Sequence, residues 1–273
     1  MVTKEEIEGQ VKDTFDRLKS AYDTSWDPTC HTLHVGLFRN DESLETAFRN
    51  NNQYLRGFIE RYFPLDVSSK ILDVCTGTGR TLLELTGYYG CSGVGIDISN
   101  EQIKDARLNN NGECQFMVGS ASELSDHLHE NSFTHVISQD GIFLVYDKER
   151  CLQEVYDCLS PDGIFVFSDF LAEVSKEAIE SRRRDGVYKT VKWERGISHH
   201  DYVAQLSNIG FSVLYSERRG EDMIQTYEKL IPQTKRLLAG DLETCDKLVS
   251  RYQSIVDSVK DGELDWGWFV AKK

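Results

Sequence analysis

Ile71-Leu72-Asp73-Val74-Cys75-Thr76-Gly77-Thr78-Gly79-Arg80 is the stretch that decides the fold. An apolar run ends on a carboxylate and then breaks into a glycine-rich turn. Beyond it, Arg80-Thr81-Leu82-Leu83-Glu84-Leu85 has helical composition. Strand, Gly-x-Gly turn and helix together are the grammar of a nucleotide-type cofactor site. The glycines let backbone approach a ligand closely, and the helix N-terminus offers unpaired N–H groups. A dinucleotide fingerprint needs a third glycine three residues after Gly79, and Leu82 stands there instead, which argues against a dehydrogenase. Asp73, just ahead of the turn, suits a cationic or polar ligand and would repel a pyrophosphate. A second strand-like run, Cys91-Ser92-Gly93-Val94-Gly95-Ile96-Asp97, closes on a carboxylate. It follows the turn by about 20 residues, the distance at which such folds read ribose hydroxyls.

Residues 73–79 and 93–97 together resemble a class I S-adenosylmethionine-dependent methyltransferase. The resemblance implies an α/β fold, doubly wound around a seven-stranded, mostly parallel sheet. It implies an N-terminal helical arm (1–62) before a cofactor-binding core (63–273), with a helical cap inserted before and after the sixth strand, near 171–197 and 221–259. S-Adenosyl-L-methionine is the implied cofactor. Asp73, Thr76, Gly77, Gly79, Asp97, Ile98, Ser120, Ala121 and Gln139 are the positions implied to hold it. The family usually has glycine at Cys75, where a small residue is an expected variation. It usually has an acid at Ser120 to accept from the adenine amino group; Ser120 can accept, but without charge. Methyltransferases of this kind often carry a tyrosine and a His-x-Gly-like segment folding over the cofactor. Tyr22 and His34-Val35-Gly36 match that description. Asp140, Tyr22 and His34 are the catalytic candidates.

The 273 residues suit one α/β domain with a sizeable insertion or cap, or two small domains. A net charge of -14, from 31 basic and 45 acidic side chains, weighs against nucleic acid or an anionic membrane as partner. The run Arg182-Arg183-Arg184 reads as an exposed helix face. Seven cysteines show no Cys-x-x-Cys or zinc spacing, as expected of reduced thiols in apolar runs. No metal site is expected, because His31 and His34 lack further ligands at suitable spacing. The charged start and the lack of an 18-residue apolar run predict a cytoplasmic protein. Oligomeric state leaves no signal in the sequence.

In chain order, residues 3–20 predict an amphipathic helix, 21–38 an irregular aromatic-rich stretch, and Leu44 to Tyr62 a longer helix ended by Pro64. Strands are predicted at 70–74, 92–97 and 113–118, then one ending at Ser138-Gln139-Asp140. Helices are predicted at 79–88, at 99–108 behind a Ser99 cap, and at 147–159. A turn at 160–163 precedes a strand at 164–167. Residues 198–207 predict a helix closed by Gly210, followed by a strand at 211–215. Residues 221–259 read as two helices parted near Pro232 or Gly240. The ending Leu264-Asp265-Trp266-Gly267-Trp268-Phe269-Val270 reads as an antiparallel last strand.

That ending, with Ser138-Gln139-Asp140 and Asp147-Lys148, resembles the sarcosine/dimethylglycine N-methyltransferase group. The group usually shows a histidine where this chain has Leu144, so no proton-handling role carries over there. The resemblance implies methylation of a small molecule at the nitrogen of an amine or amino acid. Alternatives are C- or O-methylation of a natural-product or prenyl acceptor, and a non-catalytic cofactor-binding homologue. A sulfonium donor needs chiefly in-line positioning, which contributes roughly 7–11 kcal/mol, and a neutral amine needs no dedicated base. Trp193, His199, His200, Met223 and Tyr227 are the polar and aromatic residues expected near the acceptor.

Overall fold

The computed structural model describes residues 3–29, 31–110, 112, 114–174 and 196–273. Cys30, Arg182 to Arg184, Trp193 and most of the expected 171–197 insertion lie outside the described residues. The sheet has seven strands: β1 (Lys70–Val74), β2 (Ser92–Asp97), β3 (Cys114–Val118), β4 (Phe133–Gln139), β5 (Leu159–Ala172), β6 (Ser212–Arg218) and β7 (Leu264–Lys272). Their spatial order is β3-β2-β1-β4-β5-β7-β6, with β7 antiparallel to both of its neighbours. This is the doubly wound, mostly parallel sheet that the sequence implied. The order reverses between β1 and β4, so a crevice opens there at the carboxyl ends of the strands.

The register lines those ends up. Asp73 pairs with Gly95 on one side and Ile137 on the other, Asp97 pairs with Val118, and Gln139 pairs with Ser168. Ile71, Leu72 and Val74 are wholly buried, as a central strand covered on both faces requires. On one face lie α2 (Leu44–Tyr62), α3 (Arg80–Tyr89) and α4 (Asn100–Leu108), joined by α7 (Gly220–Leu237) and α8 (Leu242–Lys260). On the other lie α5 (Lys148–Cys158) and α6 (His199–Ile209). β7 divides by alternation: Trp266, Trp268 and Val270 enter the first core, Phe269 and Ala271 the second.

Several expectations need correction. α1 (Lys4–Ser25) runs a turn past residue 20, so Tyr22 is helical rather than in an irregular stretch. β5 is much longer than four residues, because Phe170, Leu171 and Ala172 continue to pair with Trp266, Asp265 and Leu264. The expected turn at 160–163 lies within the bounds of that strand, where pairing with β4 shifts register between Leu159 and Ile164 and Asp162 sits at φ +65°. Pro232 does not part the two helices expected over 221–259. It sits inside α7, and the break falls at 238–241 beside Gly240. Six described cysteines carry free thiols, all but Cys75 buried.

Candidate active site

The glycine turn after β1 is held by its own backbone and by the end of β2. Thr76 donates its N–H to the Ile96 carbonyl at 3.0 Å, and its hydroxyl to Asp73 Oδ2 at 2.6 Å. Gly77 N–H donates to Asp97 Oδ2 at 2.9 Å, and Ser99 N–H to Asp97 Oδ1 at 2.9 Å. Gly79 caps α3 at φ +72°, and a Cβ there would lie 2.5 Å from the Phe116 ring. Only glycine meets both demands. Cys75 occupies φ +60°, a left-handed conformation that glycine adopts without steric cost and cysteine does not. Its side chain leaves no room opposite, since a Cβ on Gly141 would lie 2.3 Å from Cys75 Cβ. Cysteine at 75 therefore depends on glycine at 141.

Two carboxylates face each other across this turn. Burial, with Asp97 adding repulsion, raises the pKa of Asp73 to about 7, against the Thr76 hydrogen bond. Burial also raises the Asp97 pKa, while the Ser99 and Gly77 N–H groups oppose it. The pair gives the cavity an acidic floor suited to hydroxyl donors and cations. A phosphate group would be repelled.

One continuous cavity is lined by Asp73, Thr76, Gly77, Asp97, Ile98, Ser120, Ala121, Gln139 and Asp140, and by Tyr22 and His34. Gly79 supports the turn from behind and is not part of the lining. Gln139 is committed to a network in which it accepts from the Thr81 hydroxyl at 2.7 Å and donates to Asn51 Oδ1 at 2.7 Å.

At the β4 end the geometry is tertiary. Asp140, at φ +56°, accepts from Val35 N–H (2.6 Å), Ser168 Oγ (2.6 Å) and Trp266 Nε1 (2.7 Å). It therefore ties the segment after α1 to β5 and β7. Burial raises its pKa, and these three donors oppose the shift. The same strap is held elsewhere by Gly36 N–H to Thr226 Oγ1 (2.9 Å), Phe38 N–H to Asp222 Oδ1 (2.7 Å) and Asn51 Nδ2 to the Val35 carbonyl (2.6 Å). His34 is buried beneath the strap, where desolvation lowers its pKa and keeps the imidazole neutral; the Asp140 charge acts against this. Its Nδ1 lies 3.1 Å from the Val35 carbonyl, and the Asn52 side chain also interacts with the ring.

The far wall is aromatic. Trp26 meets Tyr22, Tyr227 and Tyr252 edge-on, with centroids 6.1, 5.5 and 5.6 Å away. Arg251 from α8 lines the same wall and donates Nη1 to the Tyr22 hydroxyl at 2.8 Å. Among the described residues no carboxylate pairs with it.

Of the described residues expected near the acceptor, Tyr227 alone lines the cavity. Met223 is buried in the core beneath α7. His199 packs on Phe269 in the layer across the sheet, and His200 beside it is exposed. They are absent from the site because α6 covers the opposite face. Trp26, Glu8, Tyr252 and Arg251 were the residues missed. The charged pair sits on amphipathic helices, where a charge reads as a solvent face. Only the aromatic density of residues 22–38 hinted at an enclosed wall.

Residues 72–167 match a family model described as a methyltransferase domain. The chain is 27% identical over 225 residues to phosphoethanolamine N-methyltransferase 1 of Zea mays, covering 79% of this chain and 43% of that protein. It is 26% identical over 251 residues to dimethylglycine N-methyltransferase of Parasynechococcus marenigrum, covering 88% and 87%. The chain thus spans less than half the length of the maize relative and most of the second. Among solved structures, one described as a putative sarcosine dimethylglycine methyltransferase from Galdieria sulphuraria superposes with a TM-score of 0.82. It is 19% identical and covers 97% of this chain and 98% of that one.

Proposed function

Because the chain carries a class I S-adenosylmethionine-dependent methyltransferase domain, we propose that it methylates the nitrogen of a small amine that also bears a carboxylate or phosphate. One observation carries this: Arg251, a guanidinium on an aromatic cavity wall, has a phenol rather than a carboxylate as its hydrogen-bond partner. Such a group recognises an anion bidentately. The maize relative's name specifies phosphoethanolamine, and the Parasynechococcus relative's specifies dimethylglycine. Both molecules join an amine to an anion.

The residues present fit the cofactor. Asp97 at the end of β2 suits the ribose hydroxyls, Gly77 leaves open space above the turn, and the Asp73–Asp97 floor favours positive charge. Ile98, Ser120 and Ala121 would flank the base, with Thr76, Gly79 and Gln139 holding the turn and its rim. When bound, the cofactor supplies an electrophilic methyl group on a sulfonium. The rings of Tyr22, Trp26, Tyr227 and Tyr252 stabilise cationic charge by about 0.5–2 kcal/mol per contact. Tyr22 accepts from Arg251, which leaves its own O–H free to orient an acceptor. Asp140 acts through the strap: by holding Val35 it fixes the segment whose His34 lines the cavity. A nitrogen acceptor requires no base from the chain.

A second reading rests on His34, a neutral imidazole in the cavity lining, which suits proton removal from an oxygen or carbon acceptor.

The test is turnover by the purified chain with S-adenosylmethionine and matched acceptors: dimethylglycine, sarcosine, phosphoethanolamine, amines lacking an anion, and phenols. Products are read by mass alongside S-adenosylhomocysteine release. Methylation confined to amines with an anionic group is expected. Arg251→Met should raise KM for those acceptors roughly ten- to a hundredfold, with cofactor affinity almost unchanged. Methylated phenols, lost when His34 becomes Gln, would move the enzyme to the second reading. Cofactor binding without turnover on any pool would remove catalysis from the proposal.

A further inference from the structure

Glu8 sits in the second turn of α1, a helix whose outer face is polar, yet its carboxylate lines the cavity beside Ser120 at the end of β3. Its Oε1 accepts from Ser120 Oγ at 2.9 Å and from Ser122 Oγ at 3.5 Å. Lys4 Nζ is 3.9 Å away and is itself engaged by Glu123 at 2.5 Å. Among the described residues no hydrogen bond reaches Oε2. The side chain is only 14% exposed, and burial raises its pKa. Partly buried at the cavity edge, the carboxylate keeps Oε2 open to a further donor.

The topology says what would lie against it. β3 is the next strand outward from β2, and residues 119–121 line the same cavity as Asp97, so a nucleoside whose ribose met Asp97 would extend its base toward them. Glu8 faces that place from the N-terminal helix. The strand itself offers an uncharged Ser120 there. α1 is fixed over it by further polar contacts: Ser99 Oγ donates to Asp16 at 2.5 Å, and Lys19 pairs with Asp105 at 2.6 Å.

We propose that Glu8 is the base-recognition residue of the cofactor site, its Oε2 accepting from the exocyclic amino group of adenine. This rests on the proposed cofactor reading and deepens it. The N-terminal helix then forms one wall of the cofactor pocket, and the carboxylate is supplied by an element more than a hundred residues from the strand end it serves.

The experiment is calorimetric titration of the full chain with S-adenosylhomocysteine and with S-inosylhomocysteine, in which a carbonyl replaces the amino group. Wild type should prefer the adenine compound by roughly ten- to a hundredfold, the scale of one hydrogen bond to a charged group. Glu8→Gln, whose amide can donate to the inosine carbonyl, should bring the two within about threefold of each other. Adding Ser120→Asp to Glu8→Ala should restore the preference, since a carboxylate returns to the same place from the strand. Wild type binding both compounds equally would overturn the proposal without any variant and leave cofactor binding intact. An undiminished preference in Glu8→Gln would overturn it as well. Binding of neither compound by wild type would defeat the cofactor reading and this proposal together.

Discussion

The two ends of the cavity are built by different means. At the end proposed to hold the cofactor, Asp73, Thr76, Gly77 and Gly79 lie within seven residues, and Asp97 follows on the next strand of the sheet. Nearly all of its geometry comes from one turn and the parallel register. At the end proposed to hold the acceptor, the contacts join residues far apart in sequence: Val35 with Asp140, Gly36 with Thr226, Tyr22 with Arg251, and Trp266 with Asp140. A local turn costs little chain entropy to form and recurs as a motif. A wall assembled across the whole chain depends on every element that carries it.

The contrast can be sharpened first at Asp73. Its folded pKa of about 7 lies above the unfolded value of about 3.9. The unfolded chain therefore loses its proton first as pH rises, and the folded state binds more protons between those values. Stability is present at low pH and falls as pH climbs toward 7, by an amount on the order of 4 kcal/mol for this group. Asp73→Asn should flatten the fall in thermal stability between about pH 4 and pH 8. An unchanged slope would show that the acidic floor is not set at Asp73.

The next effect belongs to the acceptor end. Asp140→Asn keeps one acceptor oxygen but turns an amide donor toward the donors of Val35, Ser168 or Trp266. A loss of about 2–3 kcal/mol is expected in denaturant unfolding. KM for the acceptor should rise while S-adenosylhomocysteine affinity holds. If both affinities fall together, the two ends are not separable.

The smallest effect is at Cys75. Cys75→Gly relieves the left-handed backbone and should stabilise the chain by about 0.5–1 kcal/mol, after glycine's greater freedom in the unfolded state is subtracted. Equal or lower stability would mean that the Cys75 side chain packs well enough against Gly141 to offset its conformation.

Legibility followed the same division. The pattern Ile71-Leu72-Asp73-Val74 and the two glycines identified β1, the turn and α3, because alternation, turn chemistry and caps act over a few residues. The bounds of β1, β2 and α2 were legible for the same reason. The length of β5 was not, since Phe170 to Ala172 become strand only through pairing with β7. Nor was the position of Glu8 and Arg251 in the cavity wall. On an isolated helix a charge pattern favours solvent, and only the packing of α1 and α8 around the cavity turns those two inward.

The sequence alone thus determined the parallel sheet, the cofactor turn and the carboxylates that floor it, since short-range sterics and hydrogen bonding suffice there. Only the tertiary structure decided which helices wall the cavity, that Asp140 anchors a strap, and that an arginine and a glutamate from opposite ends of the chain face one pocket. Burial and long-range pairing set the position of those groups, and neither is encoded in any local run of residues.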